Sequence, residues 1–139
     1  MADPIVDAPS IGPKTAERFH AIGVTTVEEF LAADAATTAE KINYRRITTE
    51  IVNEWQLQAQ LVYQIPNLRG HDAQILVACG FDDPHEITEA EPDQLLALVE
   101  EFMESPEGKN ALRGSGKPDL SEVQDWIEWS RQARPLQAA

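Results

Sequence analysis

Two groups of residues in this chain have the types and spacing to do chemistry, and in both the chemistry is binding. The first is Ser10-Ile11-Gly12-Pro13-Lys14-Thr15. Pro lacks an N–H and holds φ where the first position of a helix needs it, so Gly12-Pro13 reads as a tight turn opening a helix. The start of such a helix presents unpaired N–H groups, where an anion can sit. Gly12, Lys14 and Thr15 are the candidate cradle, with Arg18 one turn further along the same helix face. Lys41, Arg45 and Arg46 form the dense basic cluster of the chain and are candidates to join them. The second group is Trp126-Ile127-Glu128-Trp129. On a helix, Trp126 shares a face with Val123, Ile127 and Ser130, and Trp129 lies about 60° from Trp126, at the edge of that face. Trp is a favoured anchor at interfaces, which makes Trp129 the candidate partner-binding residue. Ile127 is expected inside and Glu128 in solvent.

Other constellations are poorer. Gly114-Ser115-Gly116-Lys117 has Ala111 where a phosphate loop needs its first Gly, and Pro118 where it needs Ser or Thr for magnesium. It reads as a flexible linker. His71, Cys79 and His85 fit no standard zinc spacing. No Ser-His-acid order and no carboxylate pair stands out. The chain is therefore read as a non-enzyme without metal or cofactor.

The net charge is −13. Residues 1–60 carry five basic and nine acidic side chains, and residues 61–139 carry six and fifteen. Acidic surface repels a phosphate backbone, whose binding depends on Lys and Arg displacing counterions. A protein partner or self-association is thus preferred, and nucleic acid is the alternative. One cysteine permits no internal disulfide and suits a reducing compartment. The first residues lack a signal-peptide pattern, and no apolar run reaches the roughly 18–20 residues that span a bilayer. A cytoplasmic protein that does not enter the membrane is expected.

Helix signals dominate. One helix is predicted from Pro13 to Ala21, closed by Gly23 in a left-handed cap. Thr26 and Glu29 fit a capping box for the next. Further helices are predicted over Thr49–Gln64, from Pro92 through Phe102, from Pro106 to Leu112, and from Ser121 to Gln132. Asp83-Pro84-His85-Glu86 has the signals of a helix start, with Asp as cap and Pro following. The tail after Pro135 is expected to be disordered.

The pattern repeats. With an offset of fifty-seven, Pro9 meets Pro66, Ala16 meets Ala73, Gly23 meets Gly80, Phe19 meets Leu76 and Phe30 meets Ile87. Val52-Asn53-Glu54-Trp55 lines up with Val123-Gln124-Asp125-Trp126 at a longer offset. The two turns, the Gly23-Val24-Thr25-Thr26-Val27-Glu28-Glu29-Phe30-Leu31 run and Leu120 to Ile127 resemble a bacterial and archaeal family of unknown function with tandem helix-hairpin-helix units. The resemblance covers about Ala8 to Ala133. It implies an all-α fold in which two such units pack as one compact pseudo-symmetric domain. The expected repeats are 8–64 and 65–134, the second carrying an inserted loop around 104–118. Helix-hairpin-helix proteins include DNA binders whose turn has two Gly. Here the first turn keeps one, Gly12, and the second turn, Asn67-Leu68-Arg69, keeps neither. The function expected is an acidic adaptor that binds protein, with weak nucleic-acid binding through the first turn as the alternative. Phe19, Phe30, Trp55, Leu76, Ile87, Leu98 and Trp126 are the expected core.

Overall fold

A computed structural model describes residues 3–112 and 117–135, with side chains through residue 110 and again from residue 117. The expected linker Gly114-Ser115-Gly116 and the tail after Pro135 lie outside the described residues. The fold is all-α. Among the described residues there is no strand, only one isolated antiparallel bridge between Pro4 and Thr26. No helix there is long and apolar enough to cross a membrane. The chain divides into two compact units, Met1–Gln60 and Leu61–Ala139.

The first unit holds α1 (Pro13–His20), α2 (Val27–Ala32), α3 (Ala35–Ile42) and α4 (Thr49–Gln64) as far as Gln60. Pro13 opens α1, and the helix buries Ala16 and Phe19, one turn apart. Its end is closed by paired bonds, Gly23 N–H to the His20 carbonyl (3.0 Å) and Val24 N–H to the Phe19 carbonyl (2.9 Å). That closure needs a left-handed residue, and Gly23 sits at φ 87° without the Cβ penalty. The Thr26–Glu29 box forms: the Glu29 amide donates to Thr26 Oγ1 at 3.0 Å, and the Thr26 amide donates to Glu29 Oε1 at 3.1 Å. The Thr25 amide and hydroxyl donate to the same carboxylate, and they chiefly hold the Glu29 pKa below its ordinary value.

Helix α3 has no counterpart among the helices expected from the sequence. Asp34 caps it, accepting from the Thr37 amide at 2.8 Å, and left-handed Asn43 ends it. Ahead of α1, a short 3-10 turn at Ile5–Asp7 buries Ile5 completely. Phe19 and Phe30 meet edge to face, with centroids 5.2 Å apart, at the centre of this unit's core. Trp55 was expected to be largely buried and is only half-buried, its ring 6.4 Å from that of Phe19. It packs against that core at its rim.

The second unit continues α4 from Leu61 and adds α5 (Gly70–Ala78), α6 (Pro84–Thr88), α7 (Pro92–Glu104), α8 (Pro106–Leu112) and α9 (Leu120–Ser130). Helix α7 packs on α8 and α9, α6 packs on α9, and α5 packs on α7 and α8. The expected insertion thus contains a helix. Its start is held by Ser105 Oγ, which accepts from the Gly108 amide at 3.0 Å. Helix α9 begins one residue earlier than expected. Asp119 is its cap, accepting from the Glu122 amide at 2.9 Å. Leu98 is a further correction: it is 43% exposed. Leu95, Val99 and Met103 set the buried face of α7, and Leu98 falls outside the arc they span. Each unit holds an apolar cluster of its own.

Local geometry recurs fifty-seven residues apart. Ser10 and Asn67 both stand at φ 68°, and Gly23 and Gly80 at 87° and 91°. The Phe81 amide bonds the Leu76 carbonyl at 2.9 Å, as Val24 bonds Phe19. Ile11 and Leu68, Ala16 and Ala73, Phe19 and Leu76, and Phe30 and Ile87 are buried in both places. The left-handed residue of the first turn is Ser10 rather than Gly12. Gly12 is extended (φ −85°, ψ −179°), and a Cβ there would meet nothing within 4 Å.

Candidate functional site

The first unit assembles a cationic face. Lys14 and Arg18 lie four residues apart on α1, both exposed. The Arg18 guanidinium stacks over the Tyr44 ring, 3.7 Å from its centroid. The guanidinium carries five N–H donors, and a cation over a ring face is held without using them as hydrogen-bond donors to the ring. Tyr44 begins a turn closed by the Ile47 amide on the Tyr44 carbonyl at 2.9 Å, with Ile47 buried beneath it. Arg45 and Arg46 are the central residues of that turn and are exposed. Among the described residues, Lys14, Lys41, Arg45 and Arg46 make no ion pair. Tyr44 therefore joins Arg18 to Arg45 and Arg46, and α1 itself supplies Lys14, Thr15 and exposed Gly12. Lys41 lies in the last turn of α3, three residues before Tyr44. No side chain caps the start of α1. Sequence reasoning missed Tyr44; an aromatic residue directly before two Arg was the available signal.

The corresponding turn of the second unit is closed to an anion by its own carboxylate. Asp72, 1% exposed, accepts from the Arg69 amide, Nε and Nη2, each at 3.1 Å. Arg69 reaches on to Glu122 Oε2 at 3.4 Å. The Asp72 hydrogen bonds raise the Arg69 pKa above its ordinary value. An acidic residue three positions after Arg69 was the sequence signal for this plug, and it was not read.

On α9, Trp126 is 1% exposed and Ile127 5%, while Glu128 is exposed and pairs with Arg131 at 2.7 Å. Trp129 is half-buried and packs against the rim of the second core. Glu122 and Asp125 precede it by seven and four residues and so share its stripe. His85 Nε2 lies 3.1 Å from Glu89 Oε1 on exposed surface. Cys79 is a free, half-buried thiol, raised to about 11 by burial and by nearby Glu101. Among the described residues, no three His, Cys, Asp or Glu side chains gather as a metal site.

The family model described as "Domain of unknown function (DUF4332)" matches residues 9–133. The chain belongs to this DUF4332 family. Neither curated proteins nor solved structures yield a match. Membership covers both units, from the turn before α1 to the segment that leaves α9, and the DUF4332 description assigns no activity to either surface.

Proposed function

We propose that the chain is a non-enzymatic, acidic interaction module that binds a protein partner or a second copy of itself in the cytoplasm. On this reading its two units are helix-hairpin-helix repeats. The turn geometry shared at Ser10 and Asn67, and at Gly23 and Gly80, supports that reading. The free Cys79 fits a reducing compartment. Trp129 carries the proposal: a half-buried aromatic on the stripe of Glu122 and Asp125 suits an apolar contact ringed by acidic charge. A basic partner surface would associate faster with such a stripe, and salt would slow it. The test compares the wild-type chain with Trp129→Ala in capture experiments at low and high salt. A folded variant is expected to lose its partner. Retention of every partner at wild-type strength removes α9 as the binding surface.

The second reading is weak, sequence-independent nucleic-acid binding by the cationic face. The stack of Arg18 on Tyr44 favours it, because it gathers cations in an otherwise acidic chain. The turn of the second unit is plugged by Asp72, which leaves the first turn as the candidate. Duplex DNA is expected to bind no tighter than about 10⁻⁴ M at physiological salt. Micromolar, salt-sensitive binding that is lost in Lys14→Glu would reverse the order of the two readings.

A further inference from the structure

Within the second unit, one residue near the end of the described chain holds the end of α4 through four contacts. The Arg134 amide donates to the Gln64 carbonyl at 2.8 Å, and Gln64 Nε2 donates to the Arg134 carbonyl at 3.1 Å. Arg134 Nε donates to the Tyr63 carbonyl at 2.7 Å. Its guanidinium lies over the Tyr63 ring, 3.9 Å from the centroid. The Tyr63 and Gln64 carbonyls are among the last four of α4, which have no partner inside a helix. A cation also belongs at this negative end of the helix dipole.

Two surface clefts meet at this pair. One, of about 320 Å³, runs along Val62, Ile65, Pro66, Leu68 and Gln132. The other, of about 800 Å³ and more open, runs along Asp83, His85, Glu89, Ser130 and Arg131. Gln64 and Arg134 line both clefts.

We propose that the Gln64–Arg134 pair is a gate between these clefts. When it opens, they become one groove leading from the turn before α5 to α6. The pair is built to open. Both side-chain bonds are exposed, so water replaces each at small net cost. Beyond Ala133, which is partly buried, Arg134 and Pro135 are both exposed, and neither adds an apolar anchor. A segment held in this way opens without global unfolding. The gate does not depend on which partner the protein binds.

Amide exchange and methyl relaxation by NMR on the full chain test it. In the wild type, the Arg134 amide is expected to exchange at least about a hundredfold faster than the Leu76 amide in the core, as a local opening requires. Arg134→Ala should speed exchange at residue 134 by about tenfold or more, through loss of the stack and the Nε bond. The same variant should increase relaxation of the Ile65 and Leu68 methyls by a soluble nitroxide and leave Leu76 exchange unchanged. Wild-type exchange at Arg134 as slow as at Leu76 means that the pair parts only on unfolding, and it overturns the gate. So does a folded Arg134→Ala chain whose Ile65 and Leu68 methyls are no more accessible than before. If the variant does not fold, the wild-type comparison alone decides.

Discussion

Removing the Asp72 carboxylate tests whether the second turn is held by its own internal anion. Asp72 is 1% exposed and takes three N–H groups from Arg69. The Arg69 side chain is 66% exposed, so solvent screens the ion pair, which contributes about 0.2–1 kcal/mol. The bond from the Arg69 amide to a buried, ionised acceptor contributes about 1.5–3 kcal/mol. A carboxylate in the first turn of α5 adds about 0.3–1 kcal/mol through the helix dipole. Desolvation of the carboxylate offsets part of this, and Ala relieves it. Asp72→Ala should therefore cost about 2–3 kcal/mol net. Asp72→Asn keeps an acceptor for the amide and loses only the charge, at about 1 kcal/mol. Urea unfolding followed by far-UV circular dichroism and by Trp fluorescence measures both. The reasoning is refuted if Asn costs as much as Ala, which would make charge and not the amide bond the dominant contribution. It is equally refuted if Ala costs less than about 0.5 kcal/mol, the range of an ordinary surface change.

Two further outcomes follow from burial and capping. Phe19→Ala should cost about 3–5 kcal/mol and Trp55→Ala less, about 2–3 kcal/mol, because Trp55 is only half-buried; the same unfolding experiment ranks them. Glu29 has a folded pKa below its ordinary 4.5, so its contribution is complete above the unfolded value and is lost as pH falls through the folded one. Stability of the wild type should accordingly fall more steeply below about pH 4.5 than that of Glu29→Gln, followed as urea midpoints across an acid series. At neutral pH, Thr26→Ala should cost about 1 kcal/mol through loss of the same cap.

What could be read from the sequence was what neighbours along the chain decide. Pro13, Gly23, the Thr26–Glu29 box, Asp83-Pro84 and the span of α4 are set by φ restrictions and by bonds over three to five residues, and each stands where the sequence placed it. The buried faces of Phe19, Phe30, Leu76, Ile87 and Trp126 follow from helical period in the same way. The anion-binding candidates were identifiable by residue type, but their grouping was not. Arg18 and Tyr44 are twenty-six residues apart, and only the folding of α1 against the turn after α3 stacks one on the other. Asp72 as a plug, Arg134 on Tyr63 and the exposure of Leu98 are likewise outcomes of packing. Periodicity states which face of a helix is apolar. It does not state how wide a neighbour covers that face, and so it could not say that Leu98 would be left outside or that Trp55 would stop at the rim.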